Sequence, residues 1–201
     1  MTRVVFMGTP EFAVPSLDAL CDAGYDVVGV FTQPDRPAGR GKKLTACPVK
    51  QRAQARGLAV YQFEKLKAPE GVEQLKALAP DVVVTAAFGQ ILTQTLLDIP
   101  TRGTVNVHAS LLPRHRGSAP INWCLLQGDE RAGVTIMLTD IGIDTGDMLA
   151  SRDLEIGELE TAGALEILEM QAPGGKRMAP KAYLAGKRID EGTVFGKDIQ
   201  A

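Results

Sequence analysis

Short apolar runs, several of them closed by Gly or Pro, recur along most of this chain, and most of them alternate with helix-like stretches. The runs fall at 3–8, 26–33, 58–63, 82–88, 103–107 and 133–139, and 148–156, which carries Arg152, Asp153 and Glu155 among its apolar residues, reads as a further strand. Runs this short and this apolar suit strands buried on both faces. Between the first two, Phe12, Val14, Leu17 and Leu20 form a helical stripe that Gly24 ends. Thr9 reads as its N-cap, Pro10 as its first residue and Glu11 as the acid of its first turn. A strand–helix–strand opening predicts parallel strands joined by a right-handed crossover. Further helices are expected at 48–57, at 69–79 through Val72, Leu75 and Leu78, after residue 92 to near Pro100, and at 119–128. The pattern predicts an α/β fold with a mostly parallel sheet flanked by helices. A chain of 201 residues can hold one such domain with a real core and a small appendage.

Composition removes several classes of function. Apolar residues make up 45% of the chain and charged residues 23%, as in ordinary globular proteins. A net charge of −2 gives no global attraction to nucleic acid, so any such contact must come from a local patch. Cys21, Cys47 and Cys124 are scattered and form no CxxC pair, which indicates neither a disulfide framework nor a thiolate zinc site. His108 and His115 lack a partner at metal-ligand spacing, so no metal is expected. No stretch approaches the roughly 18 apolar residues of a membrane span, and no leader-like segment opens the chain. A cytoplasmic protein without membrane attachment is expected.

The first strand–helix turn does not suit a dinucleotide. Gly8-Thr-Pro-Glu-Phe12 carries one glycine in place of the G-x-G-x-x-G fingerprint. Pro10 removes an N–H, and Glu11 puts negative charge where a pyrophosphate would sit. Asp35, after the second strand, is weak support for a ribose site.

Three other segments carry chemistry. The loop at 34–44 holds two Pro and two Gly, which break regular structure, and clusters Arg36, Arg40, Lys42 and Lys43 against Asp35. It reads either as a solvated surface loop or as a flexible phosphate or nucleic-acid contact. The small-residue loop after strand 82–88, with Phe88 at its head, lies where open parallel sheets place ligands, although Phe88 also suits plain core. Asn106 and His108 stand two apart on a strand, so their side chains share one face. An amide donor beside an imidazole suits attack on a carbonyl with oxyanion formation and proton movement. The plainer reading of these two alone is a structural Asn and a half-buried His. The loop 140–147 then adds Asp140, Asp144 and Asp147, which could orient the His; its spacing does not match an EF-hand.

Taken together, these segments resemble the methionyl-tRNA formyltransferase family. The resemblance rests on Met7-Gly-Thr-Pro-Glu-Phe12, Gln33-Pro-Asp-Arg-Pro-Ala-Gly-Arg-Gly-Lys-Lys-Leu44, Asn106-Val-His-Ala-Ser-Leu-Leu-Pro113, Arg116-Gly-Ser-Ala-Pro-Ile121, Gly133-Val-Thr-Ile-Met137 and Asp144-Thr-Gly-Asp147. The Asn-x-His and Asp-Thr-Gly-Asp parts alone would fit any folate-dependent formyltransferase. The basic loop selects the tRNA enzyme among them. The resemblance implies a Rossmann-like formyltransferase fold over residues 1–163. It implies transfer of a formyl group from 10-formyltetrahydrofolate to the α-amino group of methionine on initiator tRNA, in translation initiation. Asn106 would then donate to the formyl oxygen. His108 would take the amine proton or, as imidazolium, hold the oxyanion. Asp144 would orient His108. Phe88, Gly89, Gln90, Ile91, Ser110, Leu111, Leu112, Pro113, Asp140 and Gly142 would hold the folate. Arg36, Arg40, Lys42 and Lys43 would meet the tRNA acceptor end, and the protein would act as a monomer. Residues 164–201 resemble the end of the family's C-terminal tRNA-binding barrel, as if the stretch between had been deleted near 161–165. A formyltransferase or formyl-folate hydrolase acting on a small amine, and a non-catalytic remnant, are the alternative readings.

Overall fold

The computed structural model of the chain describes residues 1–38 and 43–156. Its strands are β1 (Arg3–Gly8), β2 (Asp26–Thr32), β3 (Arg36–Ala38), β4 (Lys43–Thr45), β5 (Val60–Gln62), β6 (Val82–Ala86), β7 (Thr104–His108), β8 (Arg131–Leu138) and β9 (Met148–Glu155). Its α-helices are α1 (Val14–Asp22), α2 (Pro48–Ala55), α3 (Pro69–Ala77), α4 (Gln94–Leu97) and α5 (Pro120–Leu126). Seven strands form one sheet in the order β5-β2-β1-β6-β7-β8-β9, and β3 pairs with β4 alone. The chain divides into two compact units. One is Met1–His108 with Ile136–Leu149; the other is Ala109–Thr135 with the described residues from Ala150 to 156. The tail read as a barrel remnant, 164–201, lies outside the described residues.

In the first unit the expected parallel pairing holds: β1 pairs with β2 and β6, β2 with β5, and β6 with β7, all parallel. Alternation along each strand feeds two separate cores. Val5, Met7, Phe31 and Val83 pack with Leu75 of α3 and Leu96 of α4. Phe6, Val30 and Ala86 pack with Leu17 of α1 and with Val49 and Ala53 of α2. Burying a Val, Leu or Phe side chain contributes about 1.5–3 kcal/mol, so these two apolar layers supply the main stabilising term. Strand order runs from β1 outward to β2 and β5, then returns across β1 to β6 and β7. That reversal puts a switch point beyond the carboxyl ends of β1 and β6.

Local structure departs from the sequence expectation at three places. Thr9 does not cap a helix. A short 3-10 turn at Glu11–Ala13 follows Pro10, and α1 starts at Val14 with Pro15 in its first turn. Thr9 Oγ1 instead donates to the Phe88 carbonyl at 3.1 Å and accepts the Gln33 N–H at 3.3 Å. The helix expected before Pro100 is only the short α4. The basic loop is not wholly irregular. Its base is the antiparallel ladder β3–β4, with Arg36 opposite Thr45 and Pro37 opposite Leu44. Pro37 has no N–H to give, which a two-stranded ribbon with open edges tolerates.

α1 and α2 are joined by charge. Asp18 accepts from Arg52 Nε at 2.7 Å and from Arg56 Nε at 2.6 Å. The Arg52 guanidinium, helped by Arg56, holds the Asp18 carboxyl below the ordinary range despite some desolvation. The connection from β8 to β9 depends on backbone proximity. A Cβ on Gly146 would lie 1.9 Å from the Leu138 carbonyl oxygen, and Leu138 N–H donates to the Asp147 carbonyl at 2.9 Å.

The second unit is smaller. Thr135 Oγ1 donates to the Ser110 carbonyl at 2.7 Å and accepts the Leu112 N–H at 3.1 Å. The Ser110 hydroxyl donates to the Arg114 carbonyl at 2.7 Å. Asp129 receives both Arg114 and His115.

Asp18→Asn should lower the thermal midpoint by a few degrees at neutral pH, because it breaks a two-arginine network. A depressed folded-state pKa contributes stability above the unfolded value, lost as pH falls through the folded value. The wild-type advantage should therefore fade below about pH 4 in melts run at several pH values. Gly146→Ala should cost about 1–3 kcal/mol in urea melts, because the added methyl meets backbone that cannot swing aside.

Candidate active site

β7 carries Asn106 and His108 on one face, while Val107 between them packs on the α1–α2 side. His108 is buried, at 6% exposure. The β6–β7 register sets Thr85 beside Asn106. The Thr85 hydroxyl donates to Asn106 Oδ1 at 2.8 Å. Asp144 can only accept when ionised, so the amide nitrogen of Asn106 is the end that faces it. Asn106 Nδ2 lies 3.4 Å from Asp144 Oδ1, and His108 Nδ1 lies 3.5 Å from Asp144 Oδ2. One carboxylate thus meets both β7 side chains.

Asp144 arrives from a loop whose path is fixed from within. Asp140 Oδ1 accepts the Gly142 N–H at 3.0 Å and the Thr145 hydroxyl at 2.8 Å. A Cβ on Gly142 would come within 2.0 Å of Thr145 Oγ1, so only glycine fits beneath that hydroxyl. Asp144 itself sits at φ +51°. That left-handed conformation is costly for most residues and less so for Asp, and it turns the carboxylate toward β7. Asp140 therefore serves the loop, and Asp144 serves the site.

The residues expected to hold a folate fall into distinct roles. Phe88 is a core side chain at 5% exposure, and its carbonyl accepts from both Thr9 and the Gln33 amide. Ala87 at φ +44° and Gly89 at φ +84° bend the chain around it. Gln90 commits both ends of its amide to backbone: Oε1 accepts from Leu66 N–H at 2.7 Å, and Nε2 donates to the Phe63 carbonyl at 2.8 Å. Ile91 is exposed at 82%. Ser110, Leu111, Leu112 and Pro113 belong to the second unit, where Thr135 ties the backbone of Ser110 and Leu112.

Among the basic residues, Arg36 pairs with Glu64 at 2.5 Å, and Lys43 is exposed on β4. Arg40 and Lys42 lie outside the described residues. Asp35, weighed as a ribose ligand, is instead engaged by Lys50 Nζ at 2.6 Å and by Gln62 Nε2 at 2.9 Å. The Lys50 ammonium and the Gln62 amide hold its carboxyl below the usual range.

Thr85, Thr9 and Gln33 were not singled out from the sequence as site residues. Thr85 had one visible signal, a lone hydroxyl inside the apolar run 82–88. Among the described residues, one group brings metal-type donors within 4.8 Å: His115, Cys124 and Asp129. The Arg114 guanidinium already sits on the Asp129 carboxylate, where the charge of a metal would fall. Burial pushes the Cys124 thiol up to about 11, against the thiolate a metal needs. No helix among the described residues is long and apolar enough to cross a membrane.

Known proteins resemble this chain in both sequence and fold. A methionyl-tRNA formyltransferase of Ruminiclostridium cellulolyticum is 55% identical over 154 residues, 77% of this chain and 49% of that protein. One from Halorhodospira halophila is 61% identical over 150 residues, 75% of this chain and 48% of its own length. The chain thus spans about half the length of the curated relatives it matches. The crystal structure of phosphoribosylglycinamide formyltransferase from Bacillus halodurans matches with a TM-score of 0.67 at 26% identity, covering 83% of this chain and 86% of that one. The family model described as Formyl transferase matches residues 2–172, most of the chain, and the chain therefore belongs to the formyl transferase family.

Proposed function

We propose that this chain transfers the formyl group of 10-formyltetrahydrofolate to the α-amino group of methionine carried on initiator tRNA. The observation that carries this reading is the shared carboxylate: Asp144 lies 3.4 Å from Asn106 Nδ2 and 3.5 Å from His108 Nδ1. The half-length likeness to proteins named methionyl-tRNA formyltransferase supports the choice of acceptor.

Each residue then has a task. Asn106 donates from Nδ2 to the formyl oxygen as that oxygen gains negative charge. A preorganised amide in this role is worth on the order of 3 kcal/mol. Asp144, an acceptor facing Nδ1, favours the tautomer of His108 protonated there, so Nε2 is the nitrogen that takes a proton from the attacking amine. The methionine nitrogen bonds to the formyl carbon, the carbon–nitrogen bond to the folate breaks, and the folate nitrogen gains a proton. The loop from Phe88 to Ile91 and the Asp140–Gly142 turn are the folate contacts proposed in the first unit. Ser110 to Pro113 are proposed contacts from the second. Arg36 and Lys43, with Arg40 and Lys42, are the proposed phosphate contacts to the acceptor end. Neutralising phosphates makes such binding weaken steeply with salt.

The test incubates the chain with 10-formyltetrahydrofolate and methionyl initiator tRNA, following formyl-methionyl-tRNA and free formate together. His108→Ala should lower transfer by about 100-fold or more while leaving folate binding within a few-fold. Equal transfer by the variant would refute the assignment of His108. Formylation of a small amine with none of tRNA would move the acceptor to the small-amine class, and release of formate alone would indicate a hydrolase.

A further inference from the structure

By sequence, Gln33 opens the basic segment that ends at Leu44, but its side chain works elsewhere. Gln33 Nε2 donates to the Phe88 carbonyl at 3.1 Å. The same carbonyl accepts the Thr9 hydroxyl at 3.1 Å, and Thr9 Oγ1 in turn accepts the Gln33 N–H. Two donors, one from beyond β1 and one from beyond β2, thus fill both lone pairs of one carbonyl beyond β6. The turn they hold needs holding. Ala87 and Gly89 both have positive φ, at +44° and +84°. The Gln33 amide also lies against the Gly89 α-carbon, where an added Cβ would meet Nε2 at 3.4 Å.

Gln33 is itself fixed from behind. Its carbonyl accepts from Gln62 Nε2 at 2.7 Å and from the Thr32 hydroxyl at 3.0 Å. Gln62 Oε1 accepts from Lys50 Nζ at 2.8 Å. The amide therefore projects from a backbone that cannot readily shift. It ties the turn at its start, as Gln90 ties it further on to the 63–66 backbone.

We propose that Gln33 is a positioning residue for the formyl-folate donor: it sets the Ala87–Gly89 turn, and with it the loop to Ile91, and has no contact with the acceptor. This rests on the formyltransferase reading above. It separates two neighbouring parts of one stretch by task, with the cations serving the acceptor and the glutamine serving the donor.

The test compares wild type with Gln33→Glu, which keeps the shape and replaces the donor with an acceptor-only oxygen facing a carbonyl. Binding of 5-formyltetrahydrofolate, a stable formyl-folate, is measured by calorimetry, and transfer kinetics are measured with both substrates varied. We expect the Kd for the folate and its KM to rise about tenfold, as for an unmatched buried acceptor. We expect kcat at saturating folate and the KM for tRNA to stay within about threefold. A role confined to fold stability would lower the melting temperature and leave this split flat. Folate binding within twofold of wild type, or a rise in the tRNA KM instead, would overturn the proposal. If Gln33→Glu does not fold, Gln33→Leu, which leaves Thr9 on the carbonyl, is read by the same criteria. Failure of the wild-type chain to bind folate at all would count against the formyltransferase reading itself, and with it this proposal.

Discussion

A single half-buried carboxylate, facing an amide and an imidazole at once, is the interaction around which the candidate site is arranged. Asp144 only accepts, so it dictates the amide orientation of Asn106 and the protonated nitrogen of His108. Thr85 supplies the complementary constraint by donating to the other end of the Asn106 amide. Each of these depends on backbone register. A slip of one residue between β6 and β7 would send Asn106 and His108 to the α1–α2 face and leave Val107 at the site. The two apolar layers that stabilise the sheet therefore also determine which chemistry is presented.

The fold places its loops before any ligand contact is considered. The order of the parallel strands reverses between β1 and β6. Thr9, Gln33 and the Phe88 carbonyl meet just beyond those strand ends, and they bind one another. Loops at a switch point are usually described by what they hold. Here, polar side chains of a type suited to a ligand are instead engaged in holding the loops. Gln90 and Asp140 are clear cases, since their polar atoms are committed to backbone and to Thr145.

Much of this was legible in the sequence. The parallel strands followed from short apolar runs separated by helical stripes, and the shared face of Asn106 and His108 followed from alternation. The acidic loop was visible as three acids and two glycines, but the division of labour between Asp140 and Asp144 was not, because it depends on a left-handed residue and on a hydroxyl packed over Gly142. Thr9 misled for a local reason: a threonine before Pro-Glu matches a helix cap, and nothing nearby reveals a carbonyl waiting 79 residues on. Gln33 was hidden for the same reason, since a neutral amide leaves no charge pattern or periodicity. In the basic loop, Pro and Gly concealed the short ladder at its base.

Single-turnover formyl transfer by Asp144→Asn measures the proposed role of Asp144 on the β7 pair. The asparagine retains the volume and the capacity to accept a hydrogen bond but loses the charge. The expected result is a fall in transfer rate of about 100-fold or more with folate affinity nearly unchanged, because orientation and basicity of His108 are lost together. Transfer at the wild-type rate would contradict it and would reduce the carboxylate to a structural contact of the acidic loop.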